Sequence, residues 1–435
     1  MARKHPKSRP APAGPNVTDS SPAGHGVARG GATPPLHRVS VRIAIITESF
    51  PPDVNGVAHS VLRVAEHLLA RGHQPMVIAP QPPPGLRAPE PQHGYPVHRV
   101  PSVPLPGYRS FRLGLPAVTC QRWLAGCQAD LVHLASPFVL GARGAVAARR
   151  LGLPVLAVYQ TDVPGYTRAY RGSRLAEAAA WAWLRRIHNA AGRTLAPSTA
   201  SADRLRAHGI ERVWLWGRGV DCARFSPAKR SSGMRTALAP DGQVLAGYVG
   251  RLATEKRVDL LAPVSQLPGV RLIIVGSGPA EPRLRRLMPR AVFLGQHGGE
   301  QLARIFASLD VFVHSGCHET FGQTIQEAAA SGLPVVAPAV GGPVDLVDNG
   351  VTGYLVPPGE AGALASAVAR LAADPAARAA QGQAGRQWVS ARSWAALGDA
   401  LLGHYAAVLA RDQEPGQHRD PGPATAGDPV CSEAA

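Results

Sequence analysis

Short runs of β-branched residues alternate with amphipathic segments along this chain, and no other feature constrains its fold as strongly. Val41–Thr47 has the composition of a strand that is buried on both faces of a sheet. Val57–Ala70 follows with apolar residues at helical spacing, Gly72 ends that helix, and Met76–Ala79 forms the next strand. The order strand, helix, strand predicts the α/β class, with a parallel sheet covered by helices on both faces.

The pattern occurs twice. Strands are predicted in the first half at residues 130–134, 154–160 and 193–196, and in the second half at residues 243–249, 270–275, 291–294, 311–314 and 334–337. Two units of similar size predict a two-domain enzyme with a cleft, divided into residues 41–225 and 226–392. Residues 80–116 hold many prolines and few helical signals, so a long irregular segment is expected there.

The remaining segments lie at the two ends. Residues 393–411 have the pattern of a last amphipathic helix. Residues 1–40 and 412–435 are rich in small residues and proline and lack periodicity, so both tails are expected to be disordered.

The formal net charge of +17 is unevenly distributed. Residues 41–225 carry 22 arginines, no lysine and ten acidic residues, a net +12, whereas residues 226–411 carry +4. A basic half attracts an anionic membrane surface, nucleic acid or a phosphorylated substrate; the alternative is an arginine-rich solvated surface. No nucleic-acid-binding motif is present, so nucleic acid is not an expected partner.

Cysteine usage and hydropathy predict a cytoplasmic location. The five cysteines are odd in number and lack CxxC spacing, which argues against a disulfide framework or a structural zinc site and favours a reducing compartment. The basic N-terminal residues are not followed by an apolar segment, so no signal peptide is predicted. No run of about 18 apolar residues occurs, so no membrane span is predicted.

Three segments hold candidate ligand-binding residues. Residues 48–57 connect the first strand to the first helix at the sheet edge where ligands bind. Gly56 lets the backbone approach a ligand, and the following helix presents N–H groups that suit a phosphate. A plain strand-to-helix turn is the alternative.

The second segment, residues 250–256, also follows a strand and is predicted to open a helix. Arg251 and Lys256 place two positive charges at that helix N-terminus. Such a pair suits a pyrophosphate leaving group, on which negative charge grows during transfer. Two exposed surface cations are the alternative.

The third segment, residues 318–328 (HETFGQTIQEA), places Glu319 and Glu327 eight positions apart. Gly322 turns the chain and Gln323–Ser331 is predicted to be helical, so both carboxylates are expected to face one crevice. Carboxylates that accept two hydroxyl hydrogen bonds hold a hexose or a ribose. Two unrelated solvent-exposed glutamates are the alternative.

Residues 41–410 resemble the retaining glycosyltransferases of the GT-B fold in glycosyltransferase family 4. The resemblance is carried by the GRLxxEK stretch at 250–256 and by the E-x7-E motif of Glu319 and Glu327 with the AAASGLPVVAP that follows. It implies two Rossmann-like domains facing across a cleft, with a nucleotide-sugar donor bound mainly to the second. It also implies transfer without a metal or other cofactor, and a last helix that crosses back to the first domain.

A closer resemblance is to glycolipid-forming members, and is carried by residues 131–141, 159–166 and 215–221. Actinobacterial GDP-mannose-dependent α-mannosyltransferases are the most similar. They imply transfer of mannose to a lipid or glycolipid, such as glucuronosyl diacylglycerol or a phosphatidylinositol mannoside, at the cytoplasmic membrane face. Ala135 stands where many phosphatidylinositol mannosyltransferases have a second histidine, which weakens that acceptor. The alternative is a UDP-sugar-dependent enzyme that makes another glycolipid, of the sulfoquinovosyl or digalactosyl type, or a soluble product.

The resemblance implies roles for individual residues. The donor-binding set is Gly56, Gly250, Arg251, Lys256, Gly276, Glu319, Phe321, Gly322, Gln323 and Glu327. Arg251 and Lys256 hold the pyrophosphate, Glu319 contacts the hexose, and Glu327 binds the ribose hydroxyls.

The acceptor side is assigned to His133 and Asp162, and His133 joins Arg251, Lys256 and Glu319 in the catalytic group. A packed strand-end histidine and a helix cap are the respective alternatives for His133 and Asp162. Trp181–Arg186 has a basic amphipathic pattern that suits an anionic membrane surface. An ordinary helix with its tryptophans turned inward is the alternative.

Overall fold

Two parallel β-sheets covered by helices organise the chain. The structure is a computed structural model that describes residues 40–53, 55–83, 94–105, 108–115, 119–165 and 173–412. These residues all belong to one compact unit, Pro35–Ala435. The tails predicted to be disordered lie outside the described residues, apart from residues 40 and 412.

Nine strands and five helices of the first half lie wholly within the described residues. The strands are β1 Arg42–Thr47, β2 Gln74–Pro80, β3 Val97–Val100, β4 Ser102–Leu105, β5 Tyr108–Gly114, β6 Leu131–Ala135, β7 Val155–Val158, β8 Arg193–Ala196 and β9 Val213–Leu215. The helices are α1 Gly56–Ala70, α2 Thr119–Gly126, α3 Val139–Arg150, α4 Arg174–Asn189 and α5 Thr199–Ala207. Seven of the strands form a parallel sheet in the order β3-β2-β1-β6-β7-β8-β9.

The second half repeats this plan. Its strands are β10 Val244–Val249, β11 Val270–Val275, β12 Val292–Gly295, β13 Val311–Val313, β14 Val335–Pro338 and β15 Gly353–Val356, which pair in parallel in the order β12-β11-β10-β13-β14-β15. Its α-helices are α6 Ser232–Leu238, α7 Glu281–Leu287, α8 Gly299–Ser308, α9 Gln323–Ala330, α10 Pro343–Leu346, α11 Ala361–Ala373, α12 Pro375–Ser390 and α13 Trp394–Asp412. Short 3-10 turns lie at Pro227–Lys229, Thr254–Lys256, Val258–Leu261 and Val264–Gln266.

Local residue chemistry explains where the helices begin and end. Asn55, Ser173 and Ser198 cap α1, α4 and α5, because each side chain accepts a hydrogen bond from a backbone N–H of the first turn. Gly72, with a φ of 79°, adopts the left-handed backbone just beyond the end of α1. The predicted stop at Gly72 is therefore confirmed.

The prediction of a two-sheet α/β fold is confirmed, but the expectation of an irregular segment at residues 80–116 was wrong in part. β3 joins the edge of the first sheet, and β4 pairs with β5 as an antiparallel ribbon. Pro104 lies within β4, and a two-stranded ribbon tolerates it because one side of each strand needs no pairing partner. The high proline content of this segment therefore did not exclude strands, contrary to expectation.

The last helix, α13, packs against the first sheet. Leu401, Leu402 and Tyr405 share a hydrophobic core with Val61 of α1 and Ile43 of β1. Asp399 adds polar contacts to α1, through His67 Nε2 at 2.9 Å and Arg71 Nη2 at 2.5 Å. Among the described residues, no helix combines the length and apolarity that crossing a membrane requires.

Candidate active site

The candidate site centres on an ion pair between residues 63 positions apart. Lys256 ends a 3-10 turn after β10, and Glu319 lies in the loop after β13. The Nζ atom of Lys256 donates to Oε2 of Glu319 at 2.7 Å. β10 and β13 are paired neighbours, so the loops at their carboxyl ends lie side by side.

The charge around Glu319 keeps it ionised. Burial by itself would raise the pKa of Glu319, but Lys256, His314 and Arg218 outweigh it and lower that pKa to about 2. Glu319 is therefore a carboxylate at neutral pH, in the state that accepts hydrogen bonds from sugar hydroxyls.

Arg251 forms an ion pair with Glu255 at the start of the same segment. The expected helix after Arg251 is replaced by the 3-10 turn Thr254–Lys256, because Arg257 takes a left-handed φ of 46° and interrupts it. The positive charge of this segment therefore comes from its side chains more than from a helix dipole. Glu255 is buried and stays close to Arg251, a contact that the sequence did not predict.

Gly250 and Gly276 bring the loops after β10 and β11 into contact. A Cβ atom at Gly276 would lie 1.9 Å from the carbonyl oxygen of Gly250. Gly276 also has a φ of 134°, which only glycine adopts readily. Gly276 is thus required by backbone packing, whereas a Cβ atom at Gly250 would lie 2.7 Å from the hydroxyl of Tyr248. The contact of both glycines with the donor remains a prediction.

Glu327 lies on α9, with Gly322 in a left-handed conformation (φ 104°) before the helix. Burial raises the pKa of Glu327 to about 8, although Gln323 and Arg224 act in the opposite direction. Without a ligand this side chain is therefore largely protonated at neutral pH. Glu319 and Glu327 differ in charge state, which the sequence motif did not indicate.

The two α/β halves meet beside Glu319. Phe321 is buried, and a Cβ atom at Gly217 would lie 3.3 Å from its ring. Gln323 Nε2 donates to the carbonyl oxygen of Gly219 at 3.1 Å. Ser201 Oγ donates to the carbonyl oxygen of Thr320 at 3.2 Å. The residues around Glu319 therefore form the seam between the halves as well as part of the site.

The loop after β1 is more enclosed than expected. Asn55 Oδ1 accepts from the N–H groups of Val57 and Ala58, each at 3.0 Å, so two of the first N–H groups of α1 are already satisfied. Glu48 is buried and accepts from the N–H of Gly141 at 3.0 Å, at the start of α3. Burial raises the pKa of Glu48 to about 7. The expectation that α1 offers free N–H groups to a phosphate is therefore corrected for these two.

His133 and Asp162 lie in the interior. His133 Nδ1 and the hydroxyl of Tyr405 are 2.6 Å apart beneath α13, and burial lowers the pKa of His133 to about 3. Asp162 accepts from the hydroxyl of Tyr159 at 3.0 Å and from the N–H of Gly165 at 2.9 Å. It also forms an ion pair with Arg204. These placements favour the packed-histidine and capping alternatives over acceptor contacts, which remain predictions.

His314 and Arg218 lie near Glu319 as well, and no sequence motif indicated a role for either. His314 is buried at the end of β13, with Nε2 3.9 Å from Oε2 of Glu319, and burial lowers its pKa to about 4. Arg218 is buried after β9 and donates from Nη2 to Oε1 of Gln160 at 3.0 Å. The sequence feature that could have indicated Arg218 is its position between two glycines in residues 215–221.

The described residues contain no group of three or more His, Cys, Asp or Glu side chains arranged to hold a metal ion. The adjoining loops of the second sheet carry two cations and one carboxylate, Arg251, Lys256 and Glu319. That arrangement suits a ligand that carries both phosphates and hydroxyl groups.

Comparisons with known proteins agree with this geometry. Residues 54–224 match the family model described as Glycosyltransferase Family 4, and residues 243–374 match the model of Glycosyl transferases group 1. The chain is 52% identical over 373 residues to a GDP-mannose-dependent alpha-mannosyltransferase from Mycobacterium tuberculosis, covering 85% of this chain and 98% of that one.

Two further matches extend the comparison. Sulfoquinovosyl transferase SQD2 from Arabidopsis thaliana is 33% identical over 372 residues, covering 82% of this chain and 71% of that one. The solved structure of sucrose-phosphate synthase from Thermosynechococcus elongatus superposes with a TM-score of 0.72 at 24% identity, covering 85% of this chain and 100% of that one. This structural match supports the fold.

Proposed function

The chain belongs to glycosyltransferase family 4 and has a GT-B-like α/β fold, and from this premise we propose that it transfers mannose from GDP-mannose to a lipid or glycolipid. The observation that supports the donor is the 52% identity to a relative named for GDP-mannose, sustained over 98% of that relative. The Lys256–Glu319 pair supports the reaction class, because it joins a phosphate-binding cation to a hydroxyl-binding carboxylate.

In the proposed mechanism the acceptor hydroxyl attacks the anomeric carbon on the face from which the diphosphate departs, so the configuration is retained. The bond from sugar to acceptor oxygen forms as the bond from sugar to phosphate oxygen breaks, and the leaving diphosphate takes the acceptor proton. Arg251 and Lys256 stabilise the growing negative charge. Glu319 accepts hydrogen bonds from the hexose, and Glu327 from the ribose.

The proposal requires no metal, because the two side-chain cations take the place of one at the diphosphate. Initial rates measured with excess EDTA are therefore expected to equal those measured without it. A rate that falls with EDTA and returns with added Mg²⁺ or Mn²⁺ would contradict this part of the proposal.

The donor is tested by comparing GDP-mannose with UDP-glucose, UDP-galactose and UDP-sulfoquinovose for thermal stabilisation and slow hydrolysis. We expect GDP-mannose to produce the largest shift in Tm and the fastest hydrolysis. A larger response to UDP-sulfoquinovose would favour the alternative suggested by the match to SQD2, a UDP-sugar-dependent glycolipid synthase. Activity with water-soluble acceptors alone would overturn the lipid acceptor.

A surface on the first domain supports the lipid acceptor. Helices α3 and α4 lie on the same side of the first sheet, because both connect successive parallel strands in the same direction. Their exposed arginines define what we term the arginine face: Arg143, Arg149, Arg150, Arg174, Arg185 and Arg186. Leu175 and Trp183, on the same helix α4 as three of these arginines, are 83% and 43% exposed. Exposed apolar side chains among arginines suit a peripheral contact with anionic lipid at the cytoplasmic membrane face.

This contact is tested by co-sedimentation with liposomes that contain or lack anionic phospholipid. The double variant Arg185→Glu and Arg186→Glu is expected to lose binding to anionic liposomes. The matched control, Arg286→Glu and Arg290→Glu on the second domain, changes net charge equally and is expected to bind like the parent. Binding that does not depend on lipid charge would count against the arginine face.

A further inference from the structure

Arg218 projects from a segment that is fixed on both sides. Trp216 Nε1 donates to the carbonyl oxygen of Leu397 on α13 at 2.9 Å. A Cβ atom at Gly219 would lie 2.5 Å from the backbone of Trp394, so the chain passes close to the start of α13 there. Because the chain is held on both sides of this arginine and its Nη2 donates to Oε1 of Gln160, the guanidinium occupies a defined position.

That position is the N-terminus of α1. A Cβ atom at Gly56 would lie 2.4 Å from Nη1 of Arg218, so the guanidinium rests directly against the first residue of the helix. Asn55 already satisfies the N–H groups of Val57 and Ala58. Arg218 therefore places a unit positive charge at this end of α1, where the helix dipole contributes less.

The charge of Arg218 also reaches the second domain. It is among the groups that lower the pKa of Glu319, the carboxylate that pairs with Lys256. Arg218 and Lys256, which come from different domains, thus both lie close enough to Glu319 to lower its pKa. A ligand held by Lys256 and Glu319 would face the guanidinium across the seam.

We propose that Arg218 binds the diphosphate of the sugar-nucleotide donor from the first domain, as a third cation beside Arg251 and Lys256. This inference rests on the proposed function, because it takes a nucleoside diphosphate sugar as the ligand. An anion that contacts cations of both domains also holds the domains together. Gly56 is glycine, on this view, because a larger residue would displace the guanidinium.

The experiment compares nucleotides that differ by one phosphate. Affinities of GDP and GMP for the full chain are measured by isothermal titration calorimetry in the parent, in Arg218→Gln and in Arg218→Lys. We expect Arg218→Gln to weaken GDP binding by about 10- to 100-fold, the fold-change of one lost charge-assisted hydrogen bond, and GMP binding far less. Arg218→Lys keeps the charge without the forked geometry, so its affinity for GDP should lie between those of the parent and Arg218→Gln.

Two more variants separate binding from folding. Arg206→Gln removes an exposed arginine of the same domain that pairs with Asp203, and should leave both affinities unchanged. Gly56→Ala should weaken GDP binding in the parent, because the added methyl group displaces the guanidinium of Arg218. In the Arg218→Gln background that guanidinium is absent, so Gly56→Ala should add little. Unchanged GDP affinity in Arg218→Gln, or equal losses for GDP and GMP, would overturn the proposal.

The base of the donor is a separate question. If UDP binds the parent more tightly than GDP, the GDP-mannose assignment fails. If Arg218→Gln then weakens the binding of UDP but not that of UMP, the role of Arg218 is still supported. Equal losses of affinity for UDP and UMP would overturn that role as well.

Discussion

Single residues of the candidate site show a balance between burial and charge. Glu319 and Glu327 belong to one sequence motif, yet the pKa of the first is lowered to about 2 and that of the second is raised to about 8. Lys256 lies 2.7 Å from Glu319, whereas Glu327 has a hydrogen bond with Gln323 and the charge of Arg224 to offset burial. The same residue type therefore has different chemistry at the two positions.

Replacing Lys256 with alanine removes the cation that pairs with Glu319. Loss of one preorganised charge stabiliser costs roughly 10²- to 10³-fold in rate, so kcat with GDP-mannose should fall by that factor. Lys229→Ala is the matched control, because Lys229 pairs with the exposed Glu300 outside the site. Steady-state kinetics with a Tm check on both variants make the measurement. Turnover near the parent value in Lys256→Ala would refute the assignment.

Glu327 makes stability depend on pH in a defined direction. Its folded-state pKa of about 8 lies above its ordinary value of 4.5, so its contribution is fully present below pH 4.5 and is lost as the pH rises towards 8. Glu327→Gln cannot ionise and should therefore gain Tm relative to the parent as pH increases. Thermal unfolding of both proteins at pH 5 to 8 tests this. A difference in Tm that does not change with pH would contradict it.

The strands and helices differ in how well the sequence predicts them. The buried runs at β1, β10 and β11 were predicted almost to the residue, because a strand covered on both faces must be continuously apolar. β9 and β15, which lie at the edges of their sheets, were missed. The direction of His133 within β6 was not predictable either, because its hydrogen-bond partner lies 272 residues away on α13.

Tyr405 on α13 provides a test of the role of His133. Tyr405→Phe leaves a buried imidazole nitrogen without its partner, which costs about 1–3 kcal/mol of unfolding free energy. Chemical denaturation measures that loss, and Tyr354→Phe on the second domain is the control. If His133 acts through packing alone, kcat stays at the parent value. A fall in kcat measured at a temperature where the variant stays fully folded would restore the catalytic role for His133.

At the scale of the whole molecule, the seam between the halves and the candidate site share residues. Phe321 and Gln323 contact the first half at Gly217 and Gly219, and Glu319 lies two positions before Phe321. The E-x7-E motif located this region in the sequence. It did not reveal the seam or Arg218, because contacts across a seam depend on how two separately folded sheets are oriented, and no local periodicity records that.

The first half is incomplete without the last helix. Residues 40–225 expressed alone would leave exposed the apolar surface that Leu401, Leu402, Tyr405 and Val408 cover. We expect this fragment to bind a hydrophobic dye and aggregate, and a fusion that appends residues 394–412 to be more soluble. Sedimentation and dye fluorescence distinguish the two. A monodisperse fragment with a cooperative melt would show that α13 is dispensable.

The position of α13 also bears on how the protein is made. Synthesis proceeds from the amino terminus, so β1 to β9 leave the ribosome long before the helix that seals their core. The second α/β half can close as soon as β15 and α12 have emerged. The half that is translated first is thus the one whose core stays open until α13 has emerged, and until then nascent chains expose an apolar surface that chaperones would bind.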